Sequence, residues 1–564
     1  LAAWPLNANR KRDRKALPAP GPEHLATRPY RAPEGETETA LAALWSALLG
    51  GVRVGRDDGF LDLGGDSLRM VQLGARIRER FGAAPGVAAL FRARDLAAMA
   101  VAVDAASAED DARAQTADGF DACALDSTQE PATLSPATLP PASHQQQALW
   151  VLEQVSTTAL AYNSQNLFRI RGEIGRDRLQ QARGDLVARH EILRTSFHAD
   201  PDDVLRMRVH PQARAELLYR EPDGELDDAA FMALLESEVQ RAFVLTELPL
   251  VRWILVRRRV GEYALVHVEH HYVHDGWTAN LALRELLALY AWRSGEGPEP
   301  PPPPAQYRDY TRWQHDVAAH SLFPRQLAWW KQRLRGAPES SALPTDFPRP
   351  PQPSYHGELI PCELPPALVA RLQAFCRARG ITPYAALLAV YQIVFGRFIG
   401  RERFLVGSAM ANRKARRQEG MLGMFVNMVT LVCDTGGAPA FETFAQRVME
   451  ELGEAFEYEE TPFQLVVREV QANRRLGENP LFQTAFNYHN SDLPELRGPG
   501  FEIELQEVFN NRTSKFDFDV IMVPRGLQRR DTITMFWTYA TELYQRQTLE
   551  RLIAAYVHVL VQCM

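Results

Sequence analysis

The chain has 564 residues, 46% of them hydrophobic and 24% charged, with a formal net charge of −7 and five cysteines. That length is too great for one compact core and calls for several domains, and the composition is that of an ordinary globular protein. The acidic balance argues against nucleic acid as a partner, and cysteines at 123, 362, 376, 433 and 563 form no CxxC pair, which suits a reducing cytosol.

The opening "LAAWPLNANRKRDRKALP" has neither an initiator methionine nor a secretion signal and reads as part of a longer polypeptide. Residues 18–36, rich in proline, glycine and charge, form an exposed connector. In "TETALAALWSALLG", Leu41, Leu44, Trp45, Leu48 and Leu49 fall on one helical stripe. A glycine-rich loop, "GVRVGRDDGFLDLGGDS", leads into a second amphipathic helix, "LRMVQLGARIRERFG", and "DLAAMAVAVDAA" closes a small helical bundle over residues 31–106. Residues 107–138 are rich in Ala, Asp, Ser, Thr and Pro and form a linker, which as a coil spans on the order of 30 Å.

From residue 139 to 564 the pattern is mixed α/β. Strand-like runs ("LVRWILVRR", "EYALVHVEHH", "RFLVGSAM", "DTITMFWTYA") alternate with helical ones ("ANLALRELLALYAWRSG", "LERLIAAYVHVLVQ"). The length predicts two lobes, one over about 139–310 and one over about 311–564, with the proline run at 297–306 as a stiff surface loop. No apolar run is long enough to cross a membrane; "AALLAVYQIVF" is too short.

Two stretches carry chemistry. In "LGGDSL", Ser67 follows two glycines at the start of a helix, where free N–H groups and the helix dipole favour a phosphate; a plain helix cap explains the hexapeptide equally well. In "HVEHHYVHDGWT", residues 267–278, the period of a strand puts Val266, Val268 and His270 on one face and Leu265, His267, Glu269 and His271 on the other. His270 therefore reads as a satisfied structural histidine, while His271 leaves the strand's end with a polar face. Adjacent rings diverge and no cysteine stands nearby, so a metal site is not expected.

The "DDGFLDLGGDSL" segment, inside a bundle of this size, resembles the peptidyl carrier (thiolation) domain of nonribosomal peptide synthetases, and "LNANRKRDRKALP" resembles the last motif of an adenylation domain, with Lys11 at its lysine and Arg10 in place of its glycine. His270, His271, Asp275 and Gly276 match the HHxxxDG signature of condensation domains. "SHQQQALWVLEQ", "RHEILRTSF", "YRDYTRWQ", "GMFVNM", "ETPFQLVV" and "NPLFQTAFNYHN" follow the same family's order.

The resemblance implies a four-helix carrier bundle joined to a two-lobed α/β condensation domain of chloramphenicol acetyltransferase-like fold, a V-shaped pseudo-dimer. It implies 4'-phosphopantetheine on Ser67, and peptide-bond formation between carrier-bound thioesters with His271 and Gly276 at the reacting centre. His270 and Asp275 then support the site, with Arg194 of "RTSF" as the partner of Asp275, and Asn427 and Trp277 are candidates to line a tunnel. Its partners are an upstream adenylation domain, a downstream acceptor carrier and a phosphopantetheinyl transferase, with no nucleic acid or membrane, for a cytoplasmic monomer. An epimerization domain shares HHxxxDG but carries a different motif where this chain reads "GMFVNM". A docking platform tends to lose the second histidine or the DG pair, both intact here. A single histidine, His144, in the opening motif favours an L-configured or achiral donor.

Overall fold

The computed structural model describes residues 30–82, 85–110, 139–155, 160, 162–214, 216–222, 227–318, 322–338, 341–470, 478–489, 497–506, 512–525 and 532–564. Lys11 and most of the predicted linker lie outside the described residues. Two compact units are present, the smaller drawn from Leu1–Gln115 with Cys376–Thr382 and the larger from Thr116–Phe375 and Pro383–Met564.

The smaller unit has helices Gly35–Leu48, Ser67–Phe81, Val87–Arg92 and Leu96–Asp110. From the predicted stripe, Leu41 and Trp45 are wholly buried, and Trp45 meets Phe60 edge-on at 5.0 Å. Phe60 explains the glycine pair before Ser67. Gly64 has φ +93°, and a Cβ at Gly65 would stand 2.3 Å from the Phe60 ring, so the loop closes only without side chains there. The last helix runs four residues into the predicted linker, because the alanine-rich run "DAASAED" keeps favouring helix past residue 106.

The larger unit holds two six-stranded sheets. The first, in spatial order, comprises strands Arg497–Gly498, Phe501–Gln506, Asn163–Gly172, Glu262–His270, Val251–Arg259 and Leu217–Arg220. The second comprises Gly357–Leu364, Ile533–Ala540, Phe518–Pro524, Thr484–Tyr488, Arg403–Met410 and Asn427–Asp434. The four predicted strand runs all fall in these sheets. The lobe boundary near residue 310 needs correction: Arg497–Gly498 and Phe501–Gln506 cross over and complete the first sheet, Phe501–Gln506 pairing antiparallel with Asn163–Gly172 on one side and with Arg497–Gly498 on the other. Gly172 permits this junction. Its φ is +116°, and a Cβ would lie 2.3 Å from the carbonyl oxygen of Gly500.

Strand Glu262–His270 is buried on both faces; the face its alternation marks as polar is enclosed too, with His267 and Glu269 both buried. Leu265 joins one core with helix Gly276–Arg293, while Ala264, Val266 and Val268 join another against helix Asp228–Val239. This double anchorage fixes the strand's end, and so the place of the turn that follows. Among the described residues no single helix is long and apolar enough to cross a membrane.

Candidate active site

The strand stops at His270, and His271–Val273 form one 3₁₀ turn, so His271 belongs to the turn rather than to the strand's polar face. His270 is buried, with Nε2 3.0 Å from Glu153 and Nδ1 accepting from the Tyr272 N–H at 3.4 Å. His267 stacks on Trp253 with 3.9 Å between ring centres, and Glu269 lies between His267 and His274. Three of the four histidines thus serve the core, His267 and His274 at the buried Glu269 and His270 at Glu153. His271 is half-buried and differs from them all.

The His271 ring has a defined tautomer. Its Nδ1 lies 3.0 Å from the backbone carbonyl of His274. A carbonyl only accepts, so Nδ1 carries the proton and Nε2 keeps its lone pair. Burial pushes the imidazole pKa well below its ordinary value, and Lys515 and His274 add to the effect. At neutral pH the ring is uncharged. Glu269 contacts His274, and the His274 carbonyl holds His271, so a buried carboxylate orients the ring through one intermediary.

Asp275 closes the turn and caps helix Gly276–Arg293, accepting from the Thr278 N–H at 2.8 Å. The N–H groups of Phe425 (2.9 Å) and Val426 (3.2 Å) also donate to it. Its charged partner is Arg413, at 3.1 and 3.2 Å from the two carboxylate oxygens. The expected pairing with Arg194 does not occur. Arg194 lies at the end of a different turn, donates to the His210 carbonyl at 2.5 Å, and has Glu191 at 3.8 Å. Arg413 also donates to the Met421 carbonyl (2.7 Å) and Thr278 Oγ1 (3.0 Å) and lies over the Phe425 ring at 3.9 Å. Burial alone would raise the Asp275 carboxyl, yet Arg413 and the Thr278 and Phe425 amides hold it below the usual carboxylate range.

Distant segments meet around this turn. Gln146 donates to the Tyr272 carbonyl at 2.7 Å, and the Tyr307 hydroxyl reaches Ser143 Oγ (3.0 Å) and the Met424 carbonyl (2.7 Å). The opening motif, the histidine motif, "YRDYTRWQ" and "GMFVNM" are therefore neighbours in space.

A family model described as "Condensation domain" matches residues 137–564, and one described as "Phosphopantetheine attachment site" matches residues 39–103. The chain belongs to the condensation-domain family. Over 554 residues it is 34% identical to malpibaldin synthetase of Mortierella alpina, covering 98% of this chain and 10% of that protein. A linear gramicidin synthase component of Brevibacillus parabrevis is 32% identical over 566 residues, covering 99% of this chain and 11% of that protein. The chain spans about a tenth of the length of these curated relatives. It shares its fold with the X-domain from teicoplanin biosynthesis, with a TM-score of 0.68 at 23% identity over 76% of this chain and 96% of that one. A carrier domain followed by a condensation domain is the arrangement of a nonribosomal peptide synthetase, and the carrier bears covalent 4'-phosphopantetheine.

Within the condensation domain, Gly276 is exposed at the helix start, and a Cβ there would come no closer than 3.7 Å to the His489 ring. The protein has room for a methyl group, so what the glycine leaves open is space in front of the turn. Trp277 is half-buried, with its indole N–H donating to the Glu419 carbonyl at 2.9 Å. Asn427 is not a lining residue. It is buried, donates to the carbonyls of Glu459 (2.7 Å) and Thr461 (2.6 Å), and accepts from the Phe463 N–H (3.1 Å), which uses its whole amide to pin a loop. In the carrier, Ser67 opens a fifteen-residue helix behind Asp66, whose carboxylate accepts from the Arg69 N–H at 2.9 Å. A hydroxyl-bearing residue at the positive end of a helix, beside exposed Gly64, fits a phosphodiester.

Sequence reasoning missed Arg413, Glu153 and the Glu269–His274 contact. Glu269 and His274 were in plain view within the histidine cluster. Arg413 carries no local signal beyond following strand Arg403–Met410.

Proposed function

We propose that this chain forms a peptide bond, with His271 as the positioning and proton-accepting group and Ser67 as the attachment point of the donor arm. The observation that carries the reading is the His271 ring: neutral, half-buried, protonated on Nδ1 by its bond to the His274 carbonyl, with Nε2 available. When bound, 4'-phosphopantetheine supplies a thiol that holds the acyl group as a thioester. An α-amine has a pKa of about 8, so a useful fraction is unprotonated at neutrality and no strong base is needed. His271 Nε2 accepts a hydrogen bond from the attacking amine and aims its lone pair at the thioester carbonyl. As the C–N bond forms and the C–S bond breaks, the imidazole takes the N–H proton and returns it to the departing sulfur. Asp275 and Arg413 hold the turn across the two sheets, and Gly276 keeps its approach clear.

The donor is L-configured or achiral, and the acceptor amine arrives on a downstream carrier. An upstream adenylation domain and a phosphopantetheinyl transferase prepare Ser67, in the cytoplasm. The test is to load Ser67 with an aminoacyl-pantetheine, offer an aminoacyl thioester acceptor, and compare the native chain with His271→Ala. Amide product that depends on His271 supports the reading. Exchange of the donor α-proton without product points to an epimerase instead.

A further inference from the structure

The second-lobe sheet has two unlike faces. On strand Phe518–Pro524, residues Phe518, Val520 and Met522 are buried, and Phe518 packs on Trp537 and Tyr544. Alternate residues Asp519, Ile521 and Val523 are half-buried and leave from the opposite face. On the neighbouring strand Ala485 and Asn487 stand in register with Asp519 and Ile521, so His489, the next in that alternation, shares their face. The His489 ring lies beside Gly276, 3.7 Å from where a Cβ would be. This face is therefore the one presented to the histidine turn.

Lys515 ties the same face to His271. Its ammonium lies 5.4 Å from the centre of the Tyr162 ring, and the Tyr162 carbonyl accepts from the His271 N–H at 2.9 Å. Its charge acts on both His271 and Asp519. His489 is open to water, and the protein packed around it lowers its pKa. Among the described residues, neither the Asp519 carboxylate nor the Lys515 ammonium has a hydrogen-bonding or ion-pair partner at bonding distance. Burial pushes Asp519 up to about 7, against the pull of Lys515, and pushes Lys515 down to about 8.

A half-buried carboxyl group with no donor weakens a fold unless something else uses it. Nothing in the sheet uses Asp519, whereas Asp517, two residues earlier, is held by Arg349. We propose that Asp519, beside Lys515 on the face opposite His271, is the polar end of the acceptor subsite and receives a cationic N–H-donating group of the acceptor amino acid. This rests on the peptide-bond-forming reading above. Two groups on such a substrate have that chemistry, the α-ammonium before it loses its proton and a cationic side chain. Either replaces Lys515 as the counter-charge of the carboxylate.

The experiment measures binding, which keeps it separate from the amide-forming assay. Stable amide analogues of alanyl- and ornithyl-pantetheine are titrated calorimetrically into the full chain and into Asp519→Asn, with Asp519→Thr as a second variant compatible with a strand. Thermal melts check that each variant is folded. A loss of tenfold or more for the ornithyl analogue alone assigns the site to the side chain. An equal loss for both analogues assigns it to the α-ammonium. Unchanged affinity for both, in a folded variant, overturns the proposal, whatever the His271 assay shows.

Discussion

Asp275 and Asp519 are two aspartates of the larger unit whose surroundings are opposite. Asp275 is wholly enclosed and receives three backbone N–H groups and a guanidinium, which hold its pKa down in spite of burial. Asp519 is only half-buried, receives no donor from the described residues, and sits near 7. Depth alone does not decide the state of a carboxyl group. The count of donors does, and it separates a carboxylate that builds the site from one left open to a ligand.

The sharpest way to break this contrast is to remove the guanidinium. Arg413→Leu leaves Asp275 buried without its charged partner and is expected to cost about 3–5 kcal/mol of stability in urea unfolding. A loss below about 1 kcal/mol would show that the backbone amides suffice. The double variant Arg413→Leu, Asp275→Asn should regain part of the loss. His271→Ala tests the chemistry rather than the frame: amide formation should fall by about 10²–10⁴-fold, with the melting temperature little changed.

Asp519→Asn should act in the opposite direction to any change at Asp275. The folded-state pKa of Asp519 is raised above its unfolded value, so at pH 8 the folded chain carries a charge that its surroundings disfavour. As pH falls through about 7, the folded state binds the proton first and gains stability relative to the unfolded state. The variant should therefore be more stable than the native chain by about 1–3 kcal/mol at pH 8, and the difference should vanish near pH 4. Unfolding curves at the two pH values decide it, and a destabilised variant at pH 8 would sink the contrast. Arg194→Ala should cost the least, about 1 kcal/mol, because its bonds are to a carbonyl and a distant carboxylate. A loss comparable to that of Arg413→Leu would restore Arg194 as a support of the site.

The local features of the fold were legible. Alternation in "EYALVHVEHH" placed Val266, Val268 and His270 on one buried face, though not the burial of the other, and the glycine pair before Ser67 marked the loop that leads into its helix. What was not legible depends on pairings between distant segments. Arg194 and Arg413 are both arginines near ordered motifs, and only the three-dimensional path of the chain decides which of them reaches Asp275. Asn427 lies in a matched motif but spends its amide on residues 459–463, a contact that no spacing encodes. The crossover of Phe501–Gln506 was hidden for the same reason: an alternating strand does not state which sheet it joins.

That crossover sets the smallest unit that can be moved between assembly lines. A piece ending near residue 310 would expose the edge of Asn163–Gly172, with its hydrogen-bonding groups unpaired and open to aggregation. Recombining condensation domains by exchanging halves therefore severs a sheet, whereas transplanting the block from residue 139 to residue 564 keeps every strand with its neighbour.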